Sequence, residues 1–309
     1  MMLSIVTTLY RSLPFLKEYY RRASASAEQV FGIDYELIFV NDGSPDNSLQ
    51  FVLELQKKDS HVKIVDLSRN FGHHAAIVAG LAQSRGEYVF LIDCDLEEQP
   101  EWLKLFQVKM HENDADVVFG IQQERVSTRL SNLFGEIFWS SLNFMSSIHI
   151  PHNMMTCRLM TRRYVDALQK MGDRVLFIGG IFAWTGFKQE SLSLKKIPRD
   201  KTSKSTYTLS RKLLMVADSF SSFSIAPLML IFFCGLLVWA GSMAYSFFLL
   251  IQKLLYPEII LSGYTSLMLS LWVLGSMIIL FIGIIGLYLA KIFQEVKRRP
   301  LYIVRNIYN

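Results

Sequence analysis

Tyr88-Val89-Phe90-Leu91-Ile92-Asp93-Cys94-Asp95 is an apolar run that ends in two carboxylates. A short run of Val, Phe, Leu and Ile reads as a buried strand. Carboxylates at its C-terminal end stand where open α/β sheets bind their ligands. Their hard oxygens suit a divalent cation such as Mg²⁺ or Mn²⁺, and such a cation can clamp a diphosphate as it departs. Taken alone, an Asp-x-Asp is also an ordinary solvated turn, so the neighbouring sequence decides.

Working outward, Met2–Leu9 is a first apolar stretch, and a helical pattern starts near Leu13. Tyr35–Val40 reads as a second strand running into Asn41-Asp42-Gly43-Ser44-Pro45-Asp46, where Ser44 or Asp46 is expected to cap the next helix. Val62–Leu67 is a third strand, followed by Ser68-Arg69-Asn70-Phe71-Gly72-His73-His74 and a helix over Ala75–Ser84. Strands alternating with helices predict parallel βαβ units and a doubly wound, Rossmann-like sheet. Asp42, Arg69, Asn70, Asp93 and Asp95 then leave strand ends on one edge.

The other end of the chain has a different character. The 309 residues are 51% hydrophobic, high for a globular domain. Residues 225–251 and 267–290 carry no charge. At about 1.5 Å per residue each exceeds the roughly 30 Å of a hydrocarbon core. Two transmembrane helices are therefore expected, joined by a link whose only charges are Lys253 and Glu258. Lys195, Lys196, Arg199, Lys201, Lys204, Arg211 and Lys212 precede the pair, and Lys291, Lys297, Arg298 and Arg299 follow it. The positive-inside rule places both termini in the cytoplasm. The expected layout is a catalytic domain over 1–205, a juxtamembrane segment over 206–224, two spans within 225–290, and a basic tail over 291–309. The juxtamembrane segment reads either as an interfacial amphipathic helix or as an ordinary packed one. No signal peptide is expected before the first strand. Three cysteines without a pairing pattern fit a reducing compartment. The net charge of +5 comes from juxtamembrane cations, which favours anionic lipid and speaks against nucleic acid as a partner.

Val40-Asn-Asp-Gly-Ser44, Leu67-Ser-Arg-Asn-Phe-Gly72 and Ile92-Asp-Cys-Asp-Leu96 resemble segments of the family 2 glycosyltransferases of the GT-A fold. Asp116-Val-Val-Phe-Gly120, Arg158-Leu-Met160, Phe220-Ser-Ser-Phe-Ser224 and Gln294–Val304 extend the likeness to nearly the whole chain, and narrow it to the polyisoprenyl-phosphate glycosyltransferases. That group includes dolichol-phosphate mannose synthase and the bacterial undecaprenyl-phosphate glucosyltransferases of O-antigen modification. The resemblance implies inverting, metal-dependent transfer of a sugar from a nucleoside-diphosphate sugar to a polyisoprenyl phosphate, undecaprenyl phosphate by the two-span layout. It further implies a multi-pass protein of the cytoplasmic (inner) membrane and a homo-oligomer, a tetramer in the family. Two alternatives stay open: a family 2 transferase with a glycolipid or polysaccharide acceptor, and a catalytically silent membrane scaffold.

The resemblance also distributes roles. Thr8, Tyr10, Asp42, Arg69, Asn70 and Asp93 fall at nucleotide-sugar positions; Thr8-Leu9-Tyr10-Arg11-Ser12 lacks the family's proline and acid, and a turn cap is the alternative reading of Asp42. Asp93, Asp95 and Glu97 match metal-ligand positions, although Glu97 and Glu98 also read as a charged turn before Pro100. Asp93, Asp95, Asn153, Thr156 and Arg158 fall at catalytic positions. Relatives carry an aspartate where this chain has Thr156, which implies either lost activity or a reaction that needs no general base. A phosphate monoester, with a second pKa of about 6, is already ionised and can attack unaided. Arg125 and Arg129, four apart and so on one helix face, match acceptor-loop arginines that would grip the lipid phosphate, with Lys204 and Ser205 nearer the membrane. A solvated charged face is the alternative reading of that arginine pair. His73 and His74 read as structural.

Overall fold

The computed structural model describes residues 2–123, 151, 153–172, 178–196, 231, 233, 237, 241 and 264–309. Arg125, Arg129, Lys204, Ser205, the segment 206–224 and nearly all of the first expected span lie outside the described residues.

The four strands read from the sequence form where expected: β1 (Leu3–Leu9), β2 (Tyr35–Asn41), β3 (Val62–Leu67) and β4 (Tyr88–Leu91). They alternate with α1 (Leu13–Phe31), α2 (Ser48–Gln56) and α3 (His73–Gln83). Pro14 occupies the first turn of α1, where its missing N–H costs nothing. Asp46 receives the Ser48 N–H at the start of α2 and the Leu13 N–H at the start of α1, so one carboxylate ties both helix beginnings together. After α4 (Leu103–Glu112) come β5 (Val117–Gln122), β6 (Met154–Thr161), α5 (Arg162–Met171), α6 (Ile178–Trp184) and β7 (Gln189–Leu194). A long helix, α7 (Tyr264–Lys297), leads into β8 (Val304–Tyr308).

The eight strands form one sheet in the order β7-β5-β6-β4-β1-β2-β3-β8. β3, β2, β1 and β4 run parallel, as the βαβ pattern requires. β6 is antiparallel to β4 and β5, and β8 is antiparallel to β3, so the sheet is mixed rather than wholly parallel. In consequence the C-terminal ends of β1 to β5 and β7 share an edge with the beginnings of β6 and β8.

Both faces of the sheet are covered. Leu16, Tyr19 and Ala23 of α1, Val52 of α2 and Phe106 of α4 pack with Ile5, Leu37, Phe39 and Phe90 on one side. Ala76 and Ala79 of α3, Tyr164 of α5 and Phe182 of α6 pack with Val6, Ile38, Val40 and Leu91 on the other. The strand alternation of β1, β2 and β4 thus feeds two cores at once. Fully burying each Val, Leu, Ile or Phe among them stabilises the fold by about 1.5–3 kcal/mol.

The tail expected as a basic segment is partly built into this sheet: β8 pairs with β3, and its Val304 and Tyr308 pack against the two cores. The second expected span lies inside α7, whose described apolar side chains are largely exposed, among them Leu271 (64%), Ile282 (62%) and Leu289 (63%). Some α7 side chains fall outside the described set, and over the described residues no helix is long and apolar enough to cross a membrane.

Candidate active site

The loops of the common edge are joined by side-chain-to-backbone hydrogen bonds and a close backbone approach. Gly43 has φ +59°, and a Cβ there would lie 2.5 Å from the Asn70 nitrogen and 2.6 Å from the Arg69 carbonyl carbon. Glycine is therefore required where the loop after β2 meets the loop after β3. Asp42, 3% exposed, accepts the Phe71 N–H at 2.7 Å on one oxygen and the Gly72 N–H at 3.0 Å on the other. Burial raises its pKa, against the lowering effect of those two bonds. Its carboxylate thus latches the Asn70 loop at the start of α3. Arg69 folds back onto that loop, donating to the Asn70 carbonyl and stacking over Phe71 at 4.1 Å. Tyr10 is 48% exposed at the end of β1, open to a flat ligand. The backbone is strained at three edge positions, Arg11 (φ 57°), Leu96 (φ 62°) and Asn153 (φ 55°), as is common where loops are held for a ligand.

The acidic turn follows directly from β4. Asp93 and Asp95 both leave the strand end, and Asp95 accepts the Glu97 N–H at 3.1 Å. His73 bridges two strand ends, with Nδ1 3.0 Å from the Thr8 hydroxyl and Nε2 3.7 Å from the Asp93 carboxylate. Removal from solvent lowers its pKa, outweighing Glu98, Asp42 and Asp95, although the ring keeps 42% exposure. Cys94 points inward and donates to the Thr8 carbonyl at 3.3 Å; burial pushes its thiol up to about 12, so it is not a nucleophile.

Glu98 and Lys196 were not anticipated as site residues, and the fold makes them central. Glu98 is fully buried. It accepts the Thr156 N–H and the Lys196 ammonium, each at 3.2 Å, on Oε1. Burial, reinforced by the Asp93 charge, pushes its carboxyl up to about 7 against the opposing effect of Lys196. Lys196 leaves the end of β7 and also approaches Glu97 at 3.8 Å. Neither residue carries a local signal: Lys196 reads as one of several juxtamembrane cations, and Glu98 as part of a charged turn. His73, read as structural, is likewise at the centre.

Asn153, just before β6, and Thr156 and Arg158 within it come to the same edge. Arg158 lies beneath it, 2% exposed, donating to the Met155 carbonyl at 3.1 Å and the Thr156 carbonyl at 3.2 Å, with its guanidinium 3.4 Å from the centre of the Phe182 ring. Burial lowers its pKa to about 10, so it stays charged at neutral pH. Its bonds hold the backbone on which Thr156 stands. Above it opens a cleft of about 300 Å³ whose polar wall includes His73, Gln122, Asn153, Thr156 and Lys196.

Among the described residues no three His, Cys, Asp or Glu side chains gather as a metal cage. The expected trio of Asp93, Asp95 and Glu97 is not drawn together, and Glu97 turns toward Lys196. Two neighbouring carboxylates still fit Mg²⁺ or Mn²⁺, because such ions are commonly held by one or two carboxylates plus substrate phosphates rather than by an all-protein cage.

A mostly parallel sheet with acidic and polar loops on its carboxyl edge defines an α/β protein of the GT-A type. Residues 4–169 match the family described as Glycosyl transferase family 2. A Mycobacterium tuberculosis protein named as a glycosyltransferase is 41% identical over 100% of this chain and 89% of its own length. The bactoprenol glucosyl transferase of Shigella phage SfV is 28% identical over 99% of each. Among solved structures, the mannosyltransferase PcManGT from Pyrobaculum calidifontis, in complex with GDP-Man and Mn²⁺, aligns with a TM-score of 0.49 at 15% identity, covering 71% of this chain and 63% of that one. The chain belongs to glycosyl transferase family 2, and it is a glycosyltransferase.

Proposed function

We propose that the protein moves a sugar, with inversion, from a nucleoside-diphosphate sugar to a polyprenyl phosphate, undecaprenyl phosphate in the first instance. The observation that carries this reading is the convergence of Thr8, Tyr10, Asn70, Asp93, Asp95, Thr156 and Lys196 on one sheet edge beside an open cleft. Whole-length similarity to bactoprenol glucosyl transferases supports the choice of acceptor. In this reading an acceptor phosphate oxygen attacks the anomeric carbon as the bond to the donor diphosphate breaks. A single displacement inverts that carbon, and the nucleoside diphosphate leaves with the bonding pair. The acceptor phosphate is already ionised, so Thr156 need only bind and orient. Tyr10 and the Asp42–Gly72 loops hold the nucleotide, and Lys196 adds a positive charge to the cleft. Mg²⁺ or Mn²⁺, when bound, offsets the charge gathering on the departing diphosphate, and Asp93 and Asp95 are the residues that would hold it.

The same proposal places the protein in the cytoplasmic membrane with both termini inside. The charge-free runs 225–251 and 267–290 support this, as does the exposed apolar surface of α7. The test uses purified full-length protein with UDP-glucose, UDP-N-acetylglucosamine or GDP-mannose against undecaprenyl and dolichyl phosphate. Chloroform-soluble sugar phosphate should form with nucleotide release, and Asp95→Asn should lose most of it while keeping its fold. Transfer only to a glycan or glycolipid acceptor, or no transfer at all, refutes the reading.

A further inference from the structure

The strand that follows α7 reaches the donor edge through one side chain. In the pairing of β8 with β3, Asp66 faces Asn306 and Leu67 faces Val304, so Arg305 is the extra residue of a bulge. A bulge re-aims the side chain it displaces. Here the Arg305 guanidinium reaches past the end of β3, donating to the Ser68 carbonyl at 2.7 Å and lying 3.4 Å from the Asp66 carboxylate. The Ser68 N–H is held in turn by the Ile303 carbonyl at 2.9 Å. Both backbone groups of the residue that opens the Arg69-Asn70 loop are thus fixed by the tail.

The connections continue inward. Asp66, 2% exposed, accepts from the Asn41 amide at 2.7 Å. Asn41 accepts the Ser44 N–H at 3.1 Å, and the Ser44 hydroxyl accepts the Arg11 N–H at 2.7 Å. One hydrogen-bonded path therefore runs from the tail through the loops after β3, β2 and β1. Those are the loops that carry Asn70, Asp42 and Tyr10.

We propose that Arg305 is a positioning residue of the donor site, so that nucleotide-sugar binding depends on the strand beyond the α7 helix. This rests on the donor-site reading above. The arginine side of the Arg305–Asp66 pair is 56% exposed, and the buried Asp66 keeps the Asn41 amide as a partner when the arginine is removed. The effect belongs in loop order, and hence in donor affinity, because a loop that must be ordered on binding lowers affinity.

The experiment compares wild type with Arg305→Ala, Arg305→Lys and Gln56→Ala. Gln56 donates to the Asn309 carbonyl at the far end of β8, away from the path. Each protein is titrated with UDP-glucose, UDP-N-acetylglucosamine and GDP-mannose in Mg²⁺ buffer, and amide hydrogen exchange is followed across residues 66–72. Arg305→Ala should exchange faster there and bind its nucleotide sugar about three- to tenfold more weakly, the cost of ordering about one side chain on binding. In turnover, the donor KM should rise while the acceptor KM and kcat hold. Arg305→Lys should recover part of the affinity, and Gln56→Ala should match wild type. Unchanged exchange at 66–72 overturns the inference, as does faster exchange with unchanged affinity or an equal loss in Gln56→Ala. If wild type binds none of the three donors, the donor-site reading itself falls and the positioning role falls with it; that result is distinct from a wild type that binds and a variant that binds equally well.

Discussion

Asp42→Asn distinguishes a loop latch from a direct nucleotide contact. In the free protein both carboxylate oxygens are occupied, by the N–H groups of Phe71 and Gly72. Asparagine keeps one acceptor oxygen and turns an NH₂ toward the other N–H, leaving a part-buried donor without a partner. An unsatisfied buried donor costs about 1–3 kcal/mol. The bond that remains also loses its charge assistance, worth roughly a further 1 kcal/mol. Against this, the variant no longer buries an anion whose pKa is raised by desolvation, which returns part of the loss. The net destabilisation is about 2 kcal/mol, equivalent to roughly 4–8 °C in a domain of this size. The assay is thermal unfolding of the protein without nucleotide or metal, in detergent, alongside the same measurement with the best-bound nucleotide sugar. A latch predicts the lower transition in the free protein, with faster amide exchange at 70–73. If free Asp42→Asn melts with wild type and only the ligand-induced shift is lost, Asp42 acts on the nucleotide directly and the latch argument is wrong.

Gly43→Ala should be worse than a surface glycine change. The left-handed backbone costs about 1–2 kcal/mol for alanine, and displacing the Asn70 backbone adds roughly 1–3 kcal/mol of overpacking; a variant with wild-type stability and nucleotide affinity contradicts the close approach at that point. Glu98 should leave a signature in the pH dependence of stability without metal. Its folded pKa of about 7 lies above the unfolded 4.5, so the folded state holds more protons between those values and stability falls as pH rises from 4.5 through 7. The contribution is bounded at about 3 kcal/mol, from 1.36 kcal/mol per unit. Glu98→Gln should flatten that difference in urea unfolding at pH 5 and pH 8, and identical slopes for the two proteins would refute the assignment.

The parts of the fold that the sequence displays are those driven by burial on both faces. β1 to β4 are nearly continuous apolar runs because each strand feeds two cores, and their ends fall within a residue or so of the expected positions. β6 is harder to see. Met154–Thr161 contains Thr156 and Arg158, and a buried arginine disguises a strand. The fold tolerates it because Arg158 bonds to the carbonyls of its own strand and stacks on Phe182. β7 and β8 are edge strands with polar sequences, Gln189–Leu194 and Val304–Tyr308, which supply little hydrophobic period to detect. The strand-end acids were legible in the same way as the strands. The Glu98–Lys196 contact was not, since it joins residues that only the sheet order brings together, and no local pattern encodes that order.

The absence of an aspartate at position 156 has a physical reading that follows from those unanticipated residues. A general base has to face the proton it removes. Glu98, the buried acid nearest Thr156, instead accepts the Thr156 N–H and the Lys196 ammonium, so it supports the cleft wall from behind. The wall itself presents Asn153, Thr156, Gln122 and His73 beside the Lys196 cation. Such a surface suits a nucleophile that arrives already negative. A phosphate dianion needs its charge offset and its oxygen aimed, and the Lys196 cation and the Thr156 hydroxyl can do both without taking a proton. Threonine keeps a hydroxyl for hydrogen bonding and adds no charge to the wall. The substitution is therefore consistent with the proposed phosphate acceptor, which needs no proton removed; a sugar hydroxyl acceptor would have to rely on His73, a neutral imidazole among the described residues of this wall.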